Sequence, residues 1–125
     1  MAYVLVIEDD DDLRFLLRVT LEMAGHVVVD TRDGAQGIEA VAAHGIECVL
    51  VDLGLGDVDG VEVLRGLRAR DPERRLRLAA LTGHAGEAHR RRSLEAGADL
   101  HLVKPLPPDE LVRALAELLA EPPHR

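Results

Sequence analysis

Tyr3-Val4-Leu5-Val6-Ile7-Glu8-Asp9-Asp10-Asp11-Asp12 sets five largely apolar residues directly against five acids. The apolar run is short and rich in β-branched side chains, which predicts a strand buried on both faces. Beyond the acids the period changes. Leu13, Leu16, Leu17, Thr20, Leu21 and Ala24 recur at helical spacing, with Arg14, Arg18 and Glu22 opposite and Gly25 as the stop. A strand, an acidic turn and an amphipathic helix in that order form one half of a parallel crossover unit.

The same unit recurs four more times. Val27-Val28-Val29 predicts a second strand, with a helix from Asp33 to His44 closed by Gly45. Ile46 to Val51 reads as the third strand; a Gly- and Asp-rich loop follows, then a helix from Val61 to Arg70 ended by Asp71-Pro72. Arg77 to Leu81 and a helix from Glu87 to Ala96, closed by Gly97, make the fourth unit. Leu100 to Val103 and a helix from Pro108 to Leu119 make the fifth. Five strands alternating with five helices predict an α/β fold, a single-domain doubly wound (βα)5 sandwich around a five-stranded parallel sheet. We expect residues 1–120 to form that domain and 121–125 a short C-terminal tail, with no second domain.

Composition narrows the function. The 125 residues carry a formal charge of −8 and are 47% hydrophobic, with Tyr3 and Phe15 as the only aromatics. That disfavours base-stacking platforms and the basic footprint of a nucleic-acid or anionic-membrane binder. No apolar run approaches a membrane span and no signal peptide is evident, so no membrane insertion is expected. The single Cys48 makes neither a disulfide nor a zinc site, which suits a reducing, cytoplasmic compartment. Glu8 to Asp12 with Asp52, Asp57 and Asp59 supply as many acids as the chain's whole negative excess.

In parallel sheets of this kind ligands bind beyond the carboxyl ends of the strands. Glu8 and Asp9 follow the first strand and Asp52 follows the third. Three carboxylates converging on one cleft repel each other unless protons or a hard cation bind, and an oxygen-only ligand set suits Mg²⁺ or Mn²⁺ rather than zinc. Asp11 and Asp12 read instead as a capped helix start. Thr82 follows the fourth strand and Lys104-Pro105 the fifth. Taken singly, these are a turn hydroxyl and an exposed cation. On one rim they complete the parts needed to form and hold an acyl phosphate: metal site, nucleophilic carboxylate, hydroxyl donor and fixed cation.

On Val6-Ile7-Glu8-Asp9-Asp10, Val51-Asp52-Leu53-Gly54-Leu55 through Asp59-Gly60, Leu81-Thr82-Gly83, Glu95-Ala96-Gly97-Ala98-Asp99 and Val103-Lys104-Pro105, the chain resembles the receiver domain of two-component response regulators. The resemblance covers essentially the whole chain and implies strand order 2-1-3-4-5. It implies that Asp52 accepts a phosphoryl group from a sensor histidine kinase or phosphotransfer protein, and that a downstream protein of unknown identity reads the change. Asp9 and Asp52 would hold Mg²⁺ directly, Gly54 through its backbone carbonyl and Glu8 largely through water. Lys104 would pair with phosphoryl oxygens, Thr82 would move to hydrogen-bond them, and the Lys104–Pro105 bond would be cis. The repacked face would be the fourth helix, fifth strand and fifth helix. Such a chain is a signalling phosphoacceptor and not an enzyme beyond its own phosphorylation and dephosphorylation.

The sequence also departs from the family. His101 stands at the position of the usual switch Tyr or Phe; its plain reading is a partly exposed strand histidine, its special one a reporter of Thr82. Gly56 replaces the usual loop proline, which should loosen that loop. Gly54 and His84 sit where the family tunes phosphoryl lifetime, and Gly54 has no side chain for the task. Ala98 to His101 lack the second acid of the winged-helix transcription-factor subclass, and Ala114 replaces its pairing arginine. The motif cadence looks more like receivers attached to hybrid histidine kinases. Arg90, Arg91, Arg92, Arg65, Arg68, Arg70, Arg74, Arg75 and Arg77 read as solvated faces. Phe15, Val19 and Met23 form a second apolar stripe on the first helix, read as partly buried, with a partner surface as the alternative.

Other chemistries on a similar fold fit less well. A flavodoxin needs a Ser/Thr/Gly phosphate loop where this chain has five acids. A haloacid-dehalogenase phosphatase needs a second Asp at the position of Gly54, and a Toprim enzyme breaks at the same place. The remaining alternative is a non-phosphorylated receiver-like protein-binding module.

Overall fold

The computed structural model describes residues 1–54 and 59–121, so the expectations for Gly56 and Asp57 lie outside the described residues. The elements alternate throughout: β1 (Tyr3–Ile7), α1 (Asp11–Met23), β2 (Val27–Thr31), α2 (Gly34–His44), β3 (Cys48–Asp52), α3 (Gly60–Ala69), β4 (Arg77–Thr82), α4 (Glu87–Glu95), β5 (Leu100–Val103) and α5 (Pro108–Ala120). All five strands are parallel, in the order β2-β1-β3-β4-β5. The expected boundaries shift in four informative places. β2 runs on to Thr31 because it pairs with the whole of β1. β3 starts at Cys48 instead of Ile46. Asp52 and Thr82 each close a strand from inside it, so their backbones are fixed by the sheet.

Alternation along each strand divides the core in two. Leu5, Ile7, Val49, Val51, Leu78 and Ala80 face α2 and α3, where Val61, Leu64 and Leu67 meet them. Val4, Val6, Cys48, Leu50, Ala79 and Leu81 face α1 and α5, against Leu17, Leu21, Leu111 and Leu115. Each of the buried Val, Leu and Ile side chains contributes about 1.5–3 kcal/mol of transfer free energy, which clamps the strand ends from both sides.

Local chemistry sets where helices begin. Asp10, Asp33 and Asp59 cap α1, α2 and α3, their carboxylates accepting from the Leu13, Gln36 and Val61 amides at 3.0, 2.8 and 2.9 Å. The cap of α1 is therefore Asp10; Asp11 and Asp12 occupy its first turn. α4 has no side-chain cap, and Ser93 is its only fully buried residue.

Two expectations about the surface are overturned. Arg68 is not solvated. Its side chain is only 10% exposed, donating from Nη2 to the Gly97 carbonyl (2.6 Å) and Asp99 (3.0 Å), and from Nη1 to the Leu76 carbonyl (2.8 Å) and Asp71 (3.0 Å). Arg74 and Arg77 are half-buried as well. Phe15 and Met23, expected to be partly buried, are 68% and 84% exposed; only Val19 of that stripe is partly covered. The α1–α5 core is already filled by Leu17 and Leu21, one helical face away.

Candidate functional site

The carboxyl ends of β3, β4 and β5 converge on one cleft of about 340 Å³, lined by Asp52, Gly54, Asp59, Thr82, His84, His89, Arg92 and Lys104 among others. The sheet ladder fixes the backbone here, since bonds continue one rung past three strand ends: Glu8 N–H to Thr31 O, Leu53 N–H to Leu81 O, and Lys104 N–H to Thr82 O.

Asp52 is buried, and its Oδ1 accepts from the Gly54 amide at 3.0 Å and from Lys104 Nζ at 3.1 Å. Lys104 Nζ also lies 3.6 Å from Glu8 Oε1. Burial works against the ammonium, but the hydrogen bond and charge of Asp52, with Glu8 beside it, outweigh burial and hold Lys104 above its ordinary range. The Lys104–Pro105 peptide bond is cis.

Glu8, Asp9 and Asp52 bring one carboxylate oxygen each within 4.8 Å of the others. Glu8 is 1% exposed. Its Oε2 accepts from the Asp10 amide at 3.2 Å, whereas Oε1 has no hydrogen-bond partner. Burial first, and then the neighbouring Asp52, push its carboxyl up to about 8. A buried acceptor without a donor, inside three crowded carboxylates, is the donor set a hard divalent cation satisfies. Arg14 donates to the Glu8 carbonyl at 3.1 Å and pairs with Asp11 and Asp30, which steadies the β1–α1 turn from outside.

Thr82 is buried at the end of β4, its Oγ1 accepting from the His84 amide at 3.0 Å. His84 itself is exposed and stacks on His89, with ring centroids 4.8 Å apart and planes 17° apart. His101, one strand over, is half-buried. Ser93 Oγ donates to the Arg90 carbonyl at 3.0 Å and lies 2.8 Å from His101 Nδ1. The buried Nε2 has no partner. Burial holds the imidazole below its usual range, with the His84 backbone opposing.

Glu8, Asp9, Asp52, Gly54, Thr82, His84 and Lys104 thus gather at one rim, while His101 sits behind it against α4. Sequence reasoning missed His89, Arg92 and Ser93. The first two line the cleft from α4 at a spacing of one helical turn, which only the placement of α4 reveals.

A family model described as "Response regulator receiver domain" matches residues 4–116. The transcriptional regulatory protein KdpE of Mycobacterium tuberculosis is 36% identical over 115 residues, 92% of this chain and 50% of that protein. The transcriptional regulatory protein SrrA of Staphylococcus aureus is 31% identical over 116 residues, 93% of this chain and 47% of that protein. The chain therefore spans about half the length of these curated relatives, which are transcriptional regulatory proteins. Among solved structures, the Vibrio cholerae chemotaxis protein CheY4 shares the fold, with a TM-score of 0.89 at 24% identity over 94% of this chain and 98% of that one. The BeF3-activated N-terminal receiver domain of Klebsiella pneumoniae RstA superposes with a TM-score of 0.86 at 27% identity, covering 95% and 99%.

Proposed function

This chain belongs to the response regulator receiver domain family, and from that membership we propose that it is the Asp52 phosphoacceptor of a two-component phosphorelay. The observation that carries this reading is the environment of Asp52. One of its oxygens is held by an amide and an ammonium, and the carboxylate faces a neighbouring acid whose buried oxygen lacks any donor. Such a carboxylate is positioned and charge-poised, the two things phosphoryl transfer requires of a protein.

Transfer from a donor phosphohistidine breaks the P–N bond and forms a bond from phosphorus to an Asp52 carboxylate oxygen. The electron pair of the broken bond stays with the donor imidazole, which takes up a proton. Lys104 neutralises charge on the phosphoryl oxygens, and the Thr82 hydroxyl turns from the His84 amide to hydrogen-bond them. Glu8, Asp9, Asp52 and the Gly54 carbonyl would hold Mg²⁺, or Mn²⁺ in its place. Bound there, the cation supplies the positive charge that offsets repulsion between this acidic rim and an incoming phosphate. Thr82 lies beside β5, so its movement acts on the α4–β5–α5 face through His101. His84 and Gly54 set how water reaches the acyl phosphate. Residues 1–120 form the receiver; the setting is the cytoplasm. The partners are a sensor histidine kinase or phosphotransfer protein and a downstream protein, with no direct nucleic-acid contact and no membrane insertion by this segment.

Incubation with acetyl phosphate, with and without Mg²⁺, followed by intact mass measurement, tests this directly. One phosphoryl adduct is expected in the wild type with Mg²⁺, and none without Mg²⁺ or in Asp52→Asn. An unmodified wild type would instead favour the non-phosphorylated binding module.

A further inference from the structure

α4 lines the cleft with His89 and Arg92. Arg92 Nη2 donates to Asp59 Oδ2 at 2.8 Å, tying α4 to the capping residue of α3 across the mouth of the cleft. The other Asp59 oxygen keeps the cap, accepting from Val61. Asp59 and Arg92 both line the cavity that holds Asp52, Thr82 and Lys104, and Arg90 and Arg91 of the same run do not. Arg92 is thus the member of the arginine run that α4 presents to the acceptor.

We infer that Arg92 is a further phosphoryl-binding residue, held by Asp59 until Asp52 is phosphorylated; this rests on the phosphoacceptor reading above. Both partners of the ion pair are roughly half exposed, with side-chain exposures of 57% for Arg92 and 43% for Asp59, so their attachment is weak and exchangeable. A phosphoryl group on Asp52 offers the guanidinium three strong acceptor oxygens and more negative charge than one carboxylate. Guanidinium and phosphate also match in a two-bond geometry that a lone Asp59 oxygen does not supply. Moving Arg92 from Asp59 to the phosphoryl group leaves the α3 cap intact and shifts a contact of α4. That helix is poorly anchored otherwise, with Ser93 its only buried residue. The adjacent Ser93–His101 contact lies on the same helix, so the exchange reaches β5 independently of Thr82.

Two variants separate this role from a structural one. Phosphorylation rates with acetyl phosphate and Mg²⁺ are measured by intact mass; the phosphoryl group passes to Asp52 and acetate leaves. Arg92→Ala is expected to slow the reaction by about tenfold, the scale of one charge-assisted hydrogen bond, with Arg92→Lys recovering part of the loss. Asp59→Asn keeps the helix cap, frees the guanidinium and is expected to speed the reaction. A purely structural ion pair would make both variants change alike, and that result, or no change in either, overturns the inference while leaving Asp52 as acceptor. A wild type that takes up no phosphoryl group overturns the parent reading, and this one with it. As a second readout, the Arg92 Nε–H resonance should shift on phosphorylation while the Val61 amide stays in place. An Arg92 resonance that does not move counts against the exchange.

Discussion

Glu8 is the residue whose chemistry departs furthest from solution behaviour. With its carboxyl raised from 4.5 to about 8, the folded protein retains a proton that the unfolded chain has lost throughout that window. Stability without metal should therefore fall as pH rises from about 4.5 to about 8 and flatten beyond. Thermal denaturation across that range checks this, and Glu8→Gln should remove the slope. Mg²⁺ competes with that proton, so its addition should raise Tm more above the window than inside it. His101 has the opposite sign. Held below its usual range by burial, it should weaken the fold as pH drops below 6.5, and His101→Phe should abolish that component. Glu8, Asp52, Thr82 and Lys104 were legible in the sequence because each directly follows or closes an apolar strand run. The Ser93–His101 contact was not, since a serine in a polar helix carries no sign of what the helix packs against.

Among the elements, α3 and the α4–β5 connection are joined by Arg68. The spacing from Leu64 puts Arg68 one turn along the buried stripe of α3, a signal present in the sequence but masked by five other nearby arginines. Its destination was not legible, because two of the accepting groups, the Gly97 carbonyl and Asp99, lie far away in the chain. Gly97 also has φ +118 and lies against the Arg68 stem, so a side chain there is excluded twice over. Arg68→Ala should cost about 3 kcal/mol in denaturant unfolding, because it leaves Asp71 and Asp99 without their cation. Arg68→Lys should recover little, as one ammonium cannot serve four acceptors. Gly60, at the start of α3, would place a Cβ 2.5 Å from Leu53 Cα and 2.7 Å from the Asp52 carbonyl. These are backbone atoms that cannot yield separately, so Gly60→Ala should displace Asp52 and lower Mg²⁺ affinity measured by calorimetry.

At the scale of the whole molecule, the fold class and strand succession were readable from the alternation of β-branched runs with amphipathic helices. The seating of α4 was not, because its sequence is polar on nearly every side and its position is fixed by single contacts. The sheet is covered on both faces, and its ladder continues through the amides of Glu8, Leu53 and Lys104. Those three rungs give the site the stability of the central sheet. Their amide protons should exchange with solvent only through global unfolding, at rates matching the interior of β3, whereas the amides of α4 should exchange through local opening. In the proposed function the acceptor is thus anchored in the central sheet and the response falls to the least buried helix, so a signal can be sent many times without the fold that holds the acceptor ever coming apart.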